Sequence, residues 1–345
     1  MNDIDTRNVI EISNGAILDI TPLVSVSIVT YNHKPYIRKA IEGALNQKTS
    51  FPFEIVIGED QSTDGTREIV LSYQQNYPHR IRVITSDRNV GGRDNSHRTD
   101  RACRGKYIAW CEGDDYWHDP YKLQKQVDCL ETHPDVGLVH GGADTYYVES
   151  NRRIRWNPRQ WNCEEGCNAF LEILQSNYVI RTLTAVARTE LLRAAIRDNP
   201  ECFGKNYLLG DHQRWLLLAR VSTVRFINES LATRNVLAES QTHSNDIDKV
   251  IRVLESLYSL KMHFWQKFHC DENVARTIRQ RHYNAILMEA FNTCSSATAY
   301  RTLATMKSED LEVSAKQYLV FFGAINAFAN RALKTLIRIR QLCLN

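Results

Sequence analysis

The sequence predicts an α/β fold: a mostly parallel sheet flanked by helices, with a helical appendage at the C-terminal end. Three observations predict it. Strand-like and helix-like segments alternate four times between residues 24 and 115, the pattern of a parallel sheet with helices on both faces. Three of those strands run into polar clusters, Tyr31-Asn32, Glu59-Asp60 and Asp114-Asp115, at the carboxyl edge where such sheets bind ligands. From Asp246 onward strand signals fade, and no glycine occurs before Gly323.

The elements follow in order. Val24 to Thr30 is a first strand, and Pro35 then suits the first turn of a helix carrying Ile37, Ile41 and Leu45 at four-residue spacing. Phe53 to Gly58 is a second strand, followed by a turn-rich run to Gly65 and a helix with Ile69, Tyr73 and Tyr77 on one face. Asp64 and Thr66 read as helix N-terminal caps. Ile81 to Thr85 is a third strand, Asn89-Val-Gly-Gly92 a loop, and a helix then runs to about Arg104. Lys106 to Cys111 is a fourth strand, ending in Glu112-Gly-Asp-Asp115. Further on, 121–133 predicts a helix, Val136–Val139 a short strand, 141–165 irregular chain, Asn168–Ser176 a helix and Leu183–Ala187 a strand. A boundary is placed near residue 245.

With 345 residues, 43% of them hydrophobic, the chain has ample material for a core. Lys and Arg number 43 against 40 Asp and Glu, a formal charge of +3, too balanced to imply a nucleic-acid partner. The nine cysteines are scattered. Cys163 and Cys167 lack a second close pair, which disfavours zinc, and free thiols fit a reducing cytoplasm. The acidic first residues do not form a signal peptide. No stretch reaches the roughly 18–20 apolar residues of a spanning helix, so a soluble or peripheral protein is expected.

Carboxylates crowded as in Glu112-Gly-Asp-Asp115 repel one another, and their pKa values rise unless a cation sits among them. Hard oxygen ligands suit Mg²⁺ or Mn²⁺, ions that commonly bridge to substrate phosphates. A cation on a diphosphate offsets the charge that develops as the diphosphate leaves. If a sugar migrates, the transition state is oxocarbenium-like and an acceptor hydroxyl needs a general base.

V-S-I-V-T-Y-N (26–32), I-V-I-G-E-D-Q-S-T-D-G-T (55–66), N-V-G-G (89–92) and G-K-Y-I-A-W-C-E-G-D-D-Y-W (105–117) closely resemble family 2 glycosyltransferases. The ordered match covers roughly residues 22–145, with a weaker continuation to about 245. The resemblance implies a GT-A-type nucleotide-binding sheet and an inverting transfer of a sugar from a nucleotide diphosphate, UDP by default. The implied acceptor is a hydroxyl of a glycan or lipid-linked saccharide, in surface polysaccharide assembly. It implies Tyr31 flanking the nucleotide base, with Asn32 beside it, Asp60 accepting from the base, Asp114 on the ribose and Asp115 on the metal. Arg93 or Asn95 would help with the nucleotide. Glu112 stands where the family often has Asp, which makes it a weaker metal candidate.

In Leu208-Leu-Gly-Asp-His-Gln-Arg-Trp215, Gly-Asp before an apolar helical run resembles the family's base-bearing motif. Asp211 is therefore the expected general base, and His212 a loop neighbour. Thr233-Arg234-Asn235 resembles a Tyr-Arg step after which members often place a metal- or phosphate-binding histidine. Val236 occupies that position, and His243 is the nearest histidine. His140, Tyr146, Trp156 and Trp161 are candidates for stacking on acceptor sugars.

The expected domains are an extension (1–21), a catalytic domain (22–245, its nucleotide-sugar half 22–120 and acceptor half 121–245) and a helical region (246–345). A last helix, about 315–343, carries Phe322, Ile325, Leu336 and Ile339 with Arg331, Lys334, Arg338 and Arg340, and no acid follows Glu312. Such a basic amphipathic helix can lie on an anionic bilayer, consistent with a cytoplasmic protein peripheral to the inner face of the plasma membrane. Two rivals fit less well. A sugar-1-phosphate nucleotidyltransferase needs a glycine-rich loop where this chain reads T-Y-N-H-K-P. A non-catalytic nucleotide- or carbohydrate-binding module has no use for a metal pair and a base together.

Overall fold

The computed structural model describes residues 9–13, 21–157, 168–175, 180–203, 207–237, 246–326 and 329–335. In order they form β1 (Ile10–Ile12), β2 (Val24–Thr30), α1 (Ile37–Leu45), β3 (Phe53–Glu59), α2 (Thr66–Asn76), β4 (Ile81–Thr85), α3 (Gly92–Ala102), β5 (Tyr107–Glu112) and β6 (Tyr116–Trp117). Then come α4 (Lys122–Thr132), β7 (Val136–Tyr147), β8 (Arg152–Ile154), α5 (Ala169–Gln175), a 3₁₀ turn (Thr182–Thr184), β9 (Val186–Arg188), α6 (Thr189–Asp198), α7 (Pro200–Phe203), α8 (Gly210–Val221) and β10 (Thr223–Val236). Helices α9 (Ile247–Lys267), α10 (Glu272–Thr293), α11 (Ser296–Ser308) and α12 (Ala315–Ile325) complete the chain.

Two units divide these elements. The first holds 1–170, 178–205 and 210–237; the second holds 171–177, 206–209 and 238–345. In the first, one sheet runs β1-β4-β3-β2-β5-β9-β7-β10-β6, with β8 on β7. β4, β3, β2 and β5 are parallel neighbours, as are β7 and β10. The interposed β9 is antiparallel to both β5 and β7. The sheet is therefore mostly parallel but mixed, in the way large sheets often are.

Strands β2 and β3 read as continuous apolar runs because both faces are covered. Val24, Val26, Ile28, Ile55 and Ile57 are sealed in the core, with Ile37 and Ile41 of α1 on one side. Helix α3 closes on the sheet over a glycine. Asn95 Nδ2 donates to the Gly58 carbonyl at 2.8 Å, and a Cβ at Gly58 would meet Thr99 Oγ1 at 2.0 Å. No larger residue lets this helix come so near.

The structure departs from the sequence expectations at several elements. The strand read as ending at Val139 continues to Tyr147, and β8 follows within the stretch expected to be irregular. Its Gly141-Gly142 carries no strand signal, yet a Cβ there would strike Leu231 and the Trp156 ring respectively, so close packing accounts for both glycines. Residues 183–187 form a 3₁₀ turn before β9 rather than one strand. The fourteen-residue β10 was not anticipated. It is partly exposed at its start, and its register with β7 shifts at three points, which blurs the period-two pattern. Finally, α12 stops at Ile325 instead of running on toward 343. Asn326 adopts an extended backbone and its Oδ1 accepts from the Ala329 N–H at 3.0 Å, capping a new helical stretch over 329–335. Residues beyond 335 lie outside the described residues.

In the second unit α10 packs on α9, α11 and α12. Leu287, Ala290, Phe291, Ala299 and Ala324 form its core. Gly323 lets α12 approach α10: a Cβ there would lie 2.4 Å from the Phe291 ring.

Candidate active site

Adjacent strand ends bring the polar clusters together. The Asp60 N–H donates to the Thr30 carbonyl at 3.1 Å, and the Gly113 N–H donates to the Val29 carbonyl at 2.8 Å. A Cβ at Gly113 would meet Thr30 Oγ1 at 2.6 Å and His33 Nδ1 at 2.9 Å. Glycine there lets the acidic turn after β5 lie against the 30–33 loop. That loop is pinned from the other side. Asn32, at φ 54°, accepts from the Thr63 N–H at 2.9 Å and donates its own N–H to Ser62 Oγ at 3.0 Å. Tyr31 is left 44% exposed, available as a surface for a planar ring.

Asp60 is buried. Its carboxylate accepts from the Val90 N–H at 3.0 Å, the Gly91 N–H at 2.9 Å and Arg98 at 3.1 Å. A carboxylate has about four acceptor sites, so Asp60 orders the 89–92 loop and keeps little capacity for a ligand. Asn95 is buried and holds Gly58 and Arg98. Arg93 is half-buried on α3, its charge felt by His97.

The turn Glu112-Gly113-Asp114-Asp115 is fixed by β10. The Asn235 N–H donates to Asp115 Oδ1 at 2.7 Å, and Asn235 Nδ2 donates to the Asp114 carbonyl. Asp115 is buried and Asp114 half-buried. Burial and the neighbouring carboxylates Asp114 and Glu112 raise the Asp115 pKa well above the usual range. Burial, Asp114 and Asp211 push Glu112 up to about 7. Its Oε2 is sealed from solvent with no hydrogen-bond partner among the described residues.

A crowded set of hard oxygen donors, in which burial and mutual repulsion outweigh the Asn235 hydrogen bond and the charge of Arg234, fits a divalent cation. Among the described residues no three His, Cys, Asp or Glu side chains form a ready metal cage. A Mg²⁺-like ion needs none, since it is commonly held by one or two carboxylates and completed by phosphates and water. His243 lies outside the described residues, as does Trp161.

Asp211 opens α8. Its Oδ2 accepts from Thr182 Oγ1 at 2.9 Å and its Oδ1 from the His212 N–H at 2.9 Å. Burial pushes the Asp211 pKa up. The hydrogen bond and charge of His212, the hydrogen bond from Thr182 and the charge of Arg214 outweigh burial and hold it at about 2. The carboxylate is 29% exposed and ionised at neutral pH. Thr182 comes from the 3₁₀ turn, anchored where Trp117 Nε1 donates to the Leu183 carbonyl at 2.7 Å. Helix α8 is tied to α3 by the Arg214–Asp100 ion pair at 2.8 Å and to the sheet by the edge contact of Trp215 on Trp110 of β5, ring centroids 5.3 Å apart.

Sequence reading passed over Thr182, Arg181 and the role of Asn235. No local pattern marks the first two, whereas Asn235 sat in a segment already singled out. Of the acceptor candidates, His140 is buried against Phe226, Trp156 also packs on Phe226, and the Tyr146 hydroxyl donates to Asn151.

A mostly parallel sheet whose strand ends present this acidic turn defines a GT-A-type fold. Residues 25–189 match the model of Glycosyl transferase family 2, and this part of the chain belongs to that family. An uncharacterised protein of Mycobacterium tuberculosis is 36% identical over 159 residues, 46% of each chain. Chondroitin synthase of Escherichia coli is 42% identical over 177 residues, covering 45% of this chain and 25% of that protein. Among solved structures, the mannosyltransferase PcManGT from Pyrobaculum calidifontis in complex with GDP-Man and Mn²⁺ aligns with a TM-score of 0.54 at 17% identity, covering 92% of this chain and 84% of that one. The chain spans about half the length of the first curated relatives it matches. Among the described residues no helix is long and apolar enough to cross a membrane.

Proposed function

We propose that this chain is an inverting glycosyltransferase that moves a sugar from a nucleotide diphosphate, UDP by default, to a hydroxyl of a glycan or lipid-linked acceptor. The observation that carries the reading is the pairing of two kinds of carboxylate. Asp115 is raised and crowded among acids, while Asp211 is depressed, oriented and ionised. Environments that push carboxylates apart in this way separate their roles. The polymer-building relative in Escherichia coli supports a role in surface polysaccharide assembly.

Asp115 and Asp114, with Glu112 behind them, would hold Mn²⁺ or Mg²⁺, which when bound offsets charge on the departing diphosphate. Tyr31 and Asn32 flank the nucleotide base, and Asp60 with the loop it orders closes that side of the pocket. Asp114 contacts the ribose, and Arg93 reaches the nucleotide. Asn95 acts from beneath, through Gly58. Asp211 accepts the hydrogen bond of the acceptor hydroxyl. A carboxylate held near 2 is a weak base for a free alcohol. It takes the proton late, once bonding to an oxocarbenium-like centre has acidified that hydroxyl. Thr182 keeps the carboxylate aimed. Asp211 is the single candidate base, and Glu112, the carboxylate that feels its charge, turns its Oε2 away from solvent, which supports direct displacement and inversion.

Residues 22–245 form the catalytic domain in this reading and 246–345 a helical region. Its α12 exposes Tyr318, Leu319 and Phe322 beside Lys316, a face suited to the surface of an anionic membrane at the cytoplasmic side. A thermal-shift screen of nucleotide sugars with Mn²⁺ identifies the donor, and NMR of the product linkage then reads the anomeric configuration. Inverted configuration is expected; retention overturns direct displacement from Asp211.

A further inference from the structure

Strand β8 pairs with the end of β7 and sets Arg152 and Arg153 at the margin of the sheet. Residues paired across two strands share a face, as do alternate residues along one strand. Arg152 lies in register with Tyr147, and Thr145 with Arg234 of β10, so all of these stand on one face. The Arg152 guanidinium lies 6.0 Å from the Tyr147 ring centroid. Arg181 joins the same face, because its Nη1 donates to Thr145 Oγ1 at 3.1 Å. Arg153 points the other way, where Asp144 pairs with it at 2.8 Å.

A positive row therefore crosses the sheet from β10 over β7 to β8. Arg234 contributes charge at its start, felt by both Asp115 and Arg181. Neither Arg181 nor Arg152 forms an ion pair among the described residues, and Arg152 is exposed. A guanidinium keeps its proton in a protein, so this face carries positive charge with no matching acid. The row also leads away from the acidic turn. β10 holds Asp115 through the Asn235 N–H, and β8 lies two strands further on, about 10 Å at the usual strand spacing. It begins beside the turn whose Thr182 aims Asp211. What binds along it belongs to the molecule that brings its hydroxyl to Asp211, not to a diphosphate held at Asp115.

We propose that this face is an acceptor subsite for an acidic saccharide, in which Arg181 and Arg152 grip a carboxylate or phosphate on the acceptor while its hydroxyl meets Asp211. The inference rests on the functional reading above and names the acceptor's chemical class. A uronate and a phosphodiester both present paired oxygens that a guanidinium fork matches. Tyr147 adds a half-buried ring beside Arg152 on which the body of that sugar can lie. Because residues 181 and 182 are adjacent, one short turn holds the acceptor's charge through Arg181 and aims the base through Thr182.

The test is retention of the full chain, with UDP or GDP and Mn²⁺, on an array of uronate-bearing, phosphodiester-bearing and neutral oligosaccharides. Arg152→Gln, Arg181→Gln and Arg301→Gln are compared, with melting temperatures confirming that each is folded. Retention is expected on acidic members over neutral ones, and whether uronates or phosphodiesters hold it identifies the anion. Arg152→Gln should weaken it by about threefold, as for an exposed pair, and Arg181→Gln by about tenfold. Arg301→Gln removes the same charge from exposed α11 and should change nothing, which separates a subsite from general attraction to a basic protein. Equal retention on neutral members, no retention on any member, undiminished retention in Arg152→Gln or equal loss in Arg301→Gln each overturns the inference. So does an Arg181→Gln variant that loses nucleotide affinity and keeps its retention. Calorimetric titration with UDP and GDP keeps the two readings apart. Nucleotide binding without a preference for acidic saccharides removes this inference alone, whereas binding of neither nucleotide removes the functional reading and this inference with it.

Discussion

At the residue scale the account turns on what surrounds each ionisable group. Asp211 is held ionised by Thr182 and His212, so Asp211→Asn removes the proton acceptor while leaving the donor side intact. Transfer should fall by about 10²–10⁴-fold with nucleotide affinity little changed. Steady-state kinetics beside nucleotide titration check this, and a variant with near-normal transfer would remove Asp211 from the chemistry. His140 gives a pH prediction. Burial lowers its pKa to about 3 from an ordinary value of about 6.5. Between those values the unfolded chain binds a proton that the folded chain refuses. Stability is therefore full above about pH 6.5 and is lost as pH falls, by up to about 1.4 kcal/mol per pH unit for this group. His97, also held at about 3, acts in the same direction. His140→Phe should flatten the fall in melting temperature between pH 7 and pH 5 without abolishing it; an unchanged slope would contradict the assignment.

At the scale of elements, legibility follows burial pattern and chain distance. β2, β3, β4 and β5 were readable because both faces are covered and their residues are apolar in runs. The far part of β7 was not, since Gly141 and Gly142 are there for the approach of Leu231 and Trp156, which the sequence cannot display. The break in the last helix at Asn326 was missed because its apolar spacing reads straight through a residue that caps the next helical stretch. Within the site, Asp114, Asp115 and Asp211 could be named because each adjoins a recognisable motif. Thr182 and Arg181 could not, since their significance arises only when a turn about 70 residues from Glu112 folds beside it. The packing of α3 on β3 gives the prediction at this scale. Gly58→Val would drive a side chain into Thr99 and Asn95, destabilising the protein by about 1–3 kcal/mol in urea unfolding. A neutral result would mean that α3 does not sit this close.

At the scale of the whole molecule, the first unit carries the catalytic reading and the second carries the surface reading. The exposed apolar residues of α12 are Tyr318, Leu319 and Phe322, at 45%, 55% and 51% exposure. No acid follows Glu312, while Lys316, Arg331 and Lys334 supply positive charge. Sedimentation with anionic vesicles should recover the full chain and lose it in the double variant Leu319→Glu, Phe322→Glu; equal recovery would sink the membrane assignment. The claim on which the rest depends is that crowded acids at the sheet edge serve the breaking of a sugar–diphosphate bond. The most direct measurement is release of nucleoside diphosphate from a panel of nucleotide sugars with Mn²⁺ and no acceptor, comparing the full chain with Asp115→Ala. The account predicts slow release by the full chain that is abolished by EDTA and by Asp115→Ala; release that survives both would contradict it.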